Sequence, residues 1–190
     1  IGNFKITSVL ILFTSLLLLY SLLIDILAIF IKRNKSSQAG RLISHLGFGL
    51  LVLSIALNAN LSVEKNINIK VGEYFKVSKY KLFFENLSGK TEANYDSIIG
   101  NFSVLEGDKN IGYLQPAIRI YHQPSTVTSE ASINSSVFRD FYITMTHIKE
   151  SDYFNVRFQY KPFMNFIWLS ALLIALGGAL SVFKKDKIQL

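Results

Sequence analysis

Residues 42–61 read LISHLGFGLLVLSIALNANL, an apolar run in which His45 is the only ionisable side chain. Residues 6–31 and residues 163–183 form two further runs of this kind, the first interrupted by one charge and the second by none. A helix needs roughly 20 apolar residues to cross a hydrocarbon core of about 30 Å, and each run is long enough. The sequence therefore predicts three transmembrane helices, at 6–31, 42–61 and 163–183.

Basic residues flank these runs and predict their orientation. The stretch 32–41, KRNKSSQAGR, carries four basic residues and no acid, and KKDK follows the last run at 184–187. Lys and Arg are enriched on the cytoplasmic side of a membrane. We therefore expect a multi-pass protein of an inner membrane, either the bacterial plasma membrane or the mitochondrial inner membrane. Residues 62–161 are then expected on the periplasmic or intermembrane-space side.

Composition narrows the classes of function. The chain has 190 residues, a formal net charge of +7 and no cysteine. The absence of cysteine excludes disulfides, thiolate metal sites and a cysteine nucleophile. Residues 61–161 hold 12 Lys and Arg against 11 Asp and Glu, so this segment lacks the strong basic excess of a nucleic-acid-binding domain. We expect membrane lipid as a partner, and no nucleic acid.

The segment between the second and third runs has the alternation typical of β-structure. In residues 153–161, YFNVRFQYK, apolar and polar side chains alternate, and residues 141–148 alternate in the same way. Further short strands are predicted near 67–71, 74–79, 80–86, 97–105 and 111–121. About seven strands in this length predict a small antiparallel sandwich or barrel. The predicted fold is an α-helical membrane protein with three transmembrane helices and an inserted extracytoplasmic all-β domain, divided at 1–61, 62–161 and 162–190.

Three stretches carry a resemblance to a known family. They are GRLISHLGFGLLVLSIA at 40–56, LQPAIRIYHQPSTVTSEASINSSVFRDFYITM at 114–145, and VRFQYKPFMNFIWLSALLIALGGAL at 156–180. Together they resemble the C-terminal portion of the CcmF family, the haem lyase component of cytochrome c-type biogenesis. The order of elements agrees as well, because a β domain lies between the last two spans in both.

The resemblance implies a membrane subunit of the cytochrome c haem lyase, which attaches haem through thioethers to apocytochrome c. A membrane haem b, with quinol as its candidate electron donor, would reduce the incoming haem iron before attachment. The family's tryptophan-rich segment is absent here, since the chain has one Trp. We therefore expect a split-gene subunit or a fragment, inactive alone. The expected partners are the remaining lyase subunits, which would carry that segment and the second haem ligand, a haem chaperone, and apocytochrome c.

His45 is the main candidate for a cofactor ligand. An ionisable side chain inside a membrane span is costly, so it is a functional hypothesis by default. The alternative is an interfacial histidine near the helix end, four residues after Arg41. The resemblance implies that His45 is an axial ligand of the haem b iron.

Three neighbours of His45 complete the predicted cofactor site. Gly49 lies four residues later on the same helix face, with Gly47 beside it, and small residues allow a flat ligand to approach closely. The alternative is that both glycines pack helix against helix. Arg41 lies four residues before His45, where it can reach a haem propionate or simply anchor the cytoplasmic end.

The predicted β domain offers a set of polar residues rather than a catalytic site. Glycine-rich phosphate loops and Ser-His-Asp arrangements are missing, so the sequence does not support a hydrolase or an ATPase. His147 is predicted to be a half-buried strand residue and His122 an exposed one. Five further residues match the family's polar pattern and are candidates for partner binding, or alternatively for an ion-pair network that orders the domain: Arg119, Tyr121, Glu130, Arg139 and Asp140.

The sequence is also compatible with a second function, from a different class. The chain is then a non-catalytic membrane-anchored scaffold whose β domain docks cytochrome c assembly partners. Haem content distinguishes the two, because a scaffold carries no haem and tolerates loss of His45.

Overall fold

The structure is a computed structural model that describes the backbone of residues 6–32 and 39–185, and their side chains except at 6–8, 25, 28–32 and 183–185. Within these ranges it contains three helices, α1 (Ile6–Lys32), α2 (Ala39–Leu61) and α3 (Met164–Lys185). Much of the basic sequence that predicts the orientation, at 33–38 and 186–190, lies outside the described residues. The chain divides into a helical unit, which includes the three helices and Val137–Arg139, and a β unit of residues 62–136 and 140–161.

Two of the three predicted spans are helices whose length and composition would allow them to cross a membrane. Ala39–Leu61 and Met164–Val182 are both long and apolar enough to cross a membrane. Within the described part of α1, the apolar segment Val9–Ile24 is shorter than these. All three helices lie close to the predicted runs because a continuous apolar stretch satisfies its own backbone polar groups as a helix.

Two buried serines of the helical unit bond to the backbone of their own helix. Ser15 Oγ donates to the Leu12 carbonyl at 2.7 Å, and Ser170 Oγ donates to the Phe166 carbonyl at 2.5 Å. Both serines are fully buried. These local bonds satisfy buried hydroxyls where no water is available, which makes them compatible with an apolar surrounding.

The β unit is built from ten strands in two antiparallel sheets. The first sheet has the order β1-β10-β9-β8, and the second has the order β2-β3-β4-β6-β7 with β5 paired to β4. The strands are β1 (Val63–Ile69), β2 (Tyr74–Val77), β3 (Tyr80–Thr91), β4 (Tyr95–Glu106), β5 (Lys109–Leu114), β6 (Ala117–Tyr121), β7 (Thr126–Glu130), β8 (Ser132–Ser136), β9 (Arg139–His147) and β10 (Phe154–Pro162).

The core lies between the inner faces of the two sheets, which confirms the sandwich. Phe84 and Phe102 of the second sheet stack at 4.2 Å between ring centres, and Phe84 meets Phe154 of the first sheet edge-on at 5.7 Å. Tyr80 contacts Phe141 across the sheets at 4.9 Å. Phe84, Phe102 and Phe141 are at most 1% exposed. Alternating apolar residues on both sheets therefore supply one shared core, as in other β-sandwiches.

The strand count differs from the prediction of about seven. The predicted strand at 111–121 is two strands, β5 and β6, separated by Gln115 and Pro116. Proline lacks the amide that a strand needs, so the ladder breaks at this point. The strands β7, TVTSE, and β8, SINSS, were missed because they contain few apolar residues and show no clear alternation.

Candidate functional site

The α2 and α3 backbones meet along a seam of small residues. A Cβ atom on Gly40 would lie 2.7 Å from the Gly177 carbonyl oxygen, and one on Gly47 would lie 2.9 Å from the Ser170 carbonyl oxygen. Between them, Ser44 Oγ donates to the Ile174 carbonyl at 3.3 Å. Close approach of two helices over small residues is a common way in which helices associate in membranes.

Gly49 contacts a different helix. A Cβ atom at this position would lie 3.0 Å from Leu19 Cδ2 of α1. Gly47 and Gly49 are both buried, and each faces a neighbouring helix. The structure thus shows helix packing at both glycines, the alternative to the predicted ligand contact.

His45 lies on α2 between the residues that make these helix contacts. Its side chain is exposed, and among the described residues it has no hydrogen-bond or ion-pair partner. Arg41 is also exposed and lies one turn earlier on α2. The predicted set is therefore divided, with His45 and Arg41 on the outside of the helical unit and the two glycines inside its packing.

The residues that the structure describes provide one histidine for an iron ligand in the helical unit. His122 and His147 both belong to the β unit. No group of three or more His, Cys, Asp and Glu side chains within the described ranges is arranged to hold a metal ion. An exposed neutral imidazole can serve as one axial haem ligand, so His45 fits that role.

Three of the predicted partner-binding residues lie close together on the second sheet of the β unit. Arg119 Nη1 is 3.6 Å from Glu130 Oε1 across the β6–β7 pair. The Arg119 guanidinium also lies over the Tyr95 ring at 4.8 Å, and Tyr95 faces Tyr121 with 5.3 Å between ring centres. A hydrogen bond to Tyr121 raises the pKa of Arg119. We call Tyr95, Arg119, Tyr121 and Glu130 the arginine–tyrosine cluster.

Tyr95 is a member of this cluster that sequence reasoning missed. It lies opposite Tyr121 in the β4–β6 ladder, although the two residues are far apart in the sequence. The sequence shows that residue 95 is aromatic, but it does not show which residue lies opposite, because that depends on strand order and register. The ion-pair prediction is confirmed for Arg119 and Glu130.

The other two residues of the predicted set lie elsewhere. Arg139 groups with the helical unit and Asp140 with the β unit. Asp140 is half-buried, and its Oδ1 atom is buried without a hydrogen-bond partner among the described residues. Of the five predicted residues, the structure thus brings together Arg119, Tyr121 and Glu130.

The two histidines of the β unit make different contacts. His122 is exposed, as predicted, and its Nε2 atom lies 3.1 Å from Asp96 Oδ2. This hydrogen bond lowers the pKa of Asp96. His147 is exposed rather than half-buried, because it ends β9 beyond the covered part of the core, and its ring meets Phe154 edge-on at 5.2 Å. A cleft bordered by Lys70 and Leu87 adjoins it.

Comparison with known proteins agrees with this architecture. Residues 60–162 match the family model described as the CcmF C-terminal beta-sandwich. The cytochrome c-type biogenesis protein CcmF of Escherichia coli is 30% identical over 147 residues, which cover 77% of this chain and 23% of that protein. The cytochrome c-type biogenesis protein ccl1 of Rhodobacter capsulatus is 31% identical over 152 residues, 80% of this chain and 23% of that protein.

The fold is also found in a solved structure, described as cytochrome c heme lyase CcmF. It aligns with a TM-score of 0.64 and 14% identity, over 95% of this chain and 35% of that one. The chain spans about a quarter of the length of the curated relatives that it matches. The match of the whole β unit to the family model decides the assignment. The chain therefore belongs to the CcmF family of cytochrome c-type biogenesis proteins and corresponds to the family's C-terminal portion.

Proposed function

We propose that this chain is a membrane subunit of the cytochrome c haem lyase and that His45 supplies one axial ligand to a membrane haem b. The names of its relatives support a role in cytochrome c maturation. The observation that carries the ligand assignment is the exposed side chain of His45 on an apolar helix. An ionisable residue in that setting is costly and calls for a partner.

The packing of α2 indicates from which side the haem would approach. The Gly40–Gly47 face is covered by α3, and Gly49 is covered by Leu19 of α1. The exposed side of α2 around His45 is left for a cofactor held between this chain and another part of the lyase. We assign the second axial ligand to that other part, together with the tryptophan-rich segment.

When bound, haem b supplies one-electron transfer, with quinol as the proposed donor. The task of this chain is to hold and orient it. The imidazole of His45 would bind the iron, and the guanidinium of Arg41, one turn earlier, would bind a propionate. A fixed cation at that position also offsets the negative charge of the propionate in an apolar surrounding.

The proposed topology has three spans in an inner membrane, with α1 as the first of them. In this arrangement the basic segments between α1 and α2 and after α3 face the cytoplasm or matrix. The β unit then faces the periplasm or intermembrane space, where apocytochrome c receives its haem. There the arginine–tyrosine cluster is the proposed contact surface for apocytochrome c or the haem chaperone, and Arg139 and Asp140 are separate candidates for partner contact.

The test is the pyridine-haemochrome spectrum of the chain co-purified with its lyase partners from its own membranes. We expect a b-type signal that His45→Ala removes. The matched controls His122→Ala and His147→Ala, both in the β unit, should leave the signal unchanged. A haem-free preparation with all partners present, or a signal that survives His45→Ala, would contradict the proposal and favour the scaffold function.

A further inference from the structure

The turn between β8 and β9 exposes two large apolar side chains. Val137 is 63% exposed and Phe138 is 62% exposed. Tight turns usually contain Gly, Asn, Asp, Ser or Pro, which supply special backbone angles or local hydrogen bonds. Neither residue has a positive φ angle. The turn geometry therefore does not explain why valine and phenylalanine occupy it.

This turn is attached to the first residues of α3. The Phe163 amide donates a 3.0 Å hydrogen bond to the Phe138 carbonyl. The Phe138 ring stacks on Phe166 with 5.6 Å between ring centres and 29° between planes. Phe163 has a φ angle of 60°, which is unusual for a bulky residue. A backbone bond and a ring contact thus hold the turn at a defined level of α3.

With α3 as a membrane span, as proposed above, this level is that of the membrane boundary. Met164–Val182 is a segment of 19 residues that is apolar enough to span. At 1.5 Å per residue its length is about 28 Å, close to the hydrocarbon thickness of about 30 Å. Phe166 is two residues inside the segment and Trp168 is four, and Trp168 is 64% exposed. Aromatic residues are enriched at this depth.

We propose that Val137 and Phe138 insert into the boundary between lipid headgroups and acyl chains of the membrane that α3 crosses. The turn then acts as a second anchor, next to the start of the helix and independent of it in sequence. Its occupant is lipid because its exposed apolar surface continues the exposed apolar surface of a membrane-spanning helix. Burial of such surface from water is favourable, whereas its exposure to water is not.

The test uses tryptophan fluorescence of the full chain in phosphatidylcholine vesicles. Trp168 is the only tryptophan, so Trp168→Phe with Phe138→Trp places a single reporter in the turn. Brominated phosphatidylcholine should quench this reporter as strongly as it quenches Trp168 in the unchanged chain, and aqueous acrylamide should quench it weakly. A control reporter in the β unit, Tyr113→Trp in the same background, should show the reverse, since Tyr113 is 65% exposed.

Two outcomes would overturn the proposal. Quenching by acrylamide and not by brominated lipid places the turn in water, and protection from both quenchers indicates that protein covers it. A second variant guards against a local change caused by the bulky indole. Because the chain has no cysteine, Val137→Cys takes a single nitroxide label, which should be accessible to oxygen in the membrane and shielded from a water-soluble nickel complex.

Discussion

Gly177 of α3 meets Gly40 of α2 so closely that a Cβ atom on Gly177 would lie 2.5 Å from the Gly40 carbonyl oxygen. The neighbouring Gly178 has nothing within 4 Å of the same hypothetical atom. Two adjacent glycines of one apolar helix thus have opposite environments. The contact at Gly177 is between backbones, which cannot yield as a flexible side chain would.

Gly177→Ala is expected to destabilise the packing of α2 on α3. Overpacking of this kind costs about 1–3 kcal/mol, more than the roughly 1 kcal/mol that alanine gains over glycine in a helix. Gly178→Ala, the matched control, keeps the propensity gain without the clash and should be neutral or stabilising. Thermal unfolding of the chain in detergent measures both. Equal melting temperatures for the two variants would contradict the close packing of α2 on α3 at Gly177.

Phe84→Ala is expected to destabilise the β unit strongly. Phe84 is 0% exposed and stacks on Phe102, so its removal leaves a large cavity in the core. Such a truncation typically costs about 3–5 kcal/mol. Tyr113→Ala, at a position that is 65% exposed, should change stability by no more than about 0.5 kcal/mol. Chemical denaturation followed by the β-sheet circular dichroism signal compares the two.

Glu64 is expected to contribute to acid sensitivity. Arg157 Nε donates to Glu64 Oε1 at 2.7 Å across the β1–β10 pair, and this bond holds the pKa of Glu64 below its ordinary value of 4.5. Because the pKa of Glu64 is lower in the folded state than in the unfolded state, the ion pair stabilises the fold fully when the pH is above the unfolded-state pKa. This stabilisation is lost as the pH falls through the folded-state pKa. Glu64→Gln should therefore lower the melting temperature at neutral pH. The difference in melting temperature from the unchanged chain should shrink as the pH falls below the ordinary pKa of the Glu64 carboxyl.

A control separates this effect from general acid unfolding. Glu85 is exposed and has no ion pair among the described residues. Glu85→Gln removes one carboxylate that has no such pair and is the matched control for the loss of a negative charge. A pH-independent deficit for Glu64→Gln would show that the Arg157 contact carries no charge-dependent stabilisation.

Arg41 is expected to tune the proposed haem. A cation beside a propionate favours the reduced, more negative form of the cofactor, so Arg41→Gln should lower the midpoint potential of the b-type signal. Arg41→Lys retains the charge without the planar pair of donors and should shift the potential less. Redox titration of the co-purified complex gives both values. An unchanged potential in Arg41→Gln would leave Arg41 as an anchor of the helix end.

A substitution at Arg119 tests the proposed contact surface for apocytochrome c or the haem chaperone. It is the centre of the arginine–tyrosine cluster and is partly exposed, so Arg119→Ala should weaken capture of apocytochrome c or the haem chaperone while leaving the melting temperature nearly unchanged. Lys90→Ala is the control, since Lys90 forms a separate exposed pair with Glu92 at 2.6 Å. A large loss of stability with unchanged capture would assign Arg119 to the order of the β unit instead.

The sandwich was predictable because strand alternation is a local property. The strands that hold Phe141, Ile143 and Phe158 were read from their period of two, and all three side chains are fully buried in the core. β7 and β8 were missed because they contain few apolar residues and show no clear alternation, although each pairs with a strand next to it in the sequence. Pro116 divided a predicted strand through a missing amide, an effect that the alternation pattern does not register.

The sequence by itself determined the positions of the three helices, the β character of the segment between the last two, and the family to which the chain is similar. Hydropathy, alternation and motif spacing suffice for these, since each is a property of neighbouring residues. Only the tertiary structure decided that Gly47 and Gly49 pack against other helices while the His45 side chain is exposed, and that Tyr95 joins Arg119 and Tyr121. These facts depend on which surfaces meet, and that is determined by shape complementarity between segments that are distant in the chain.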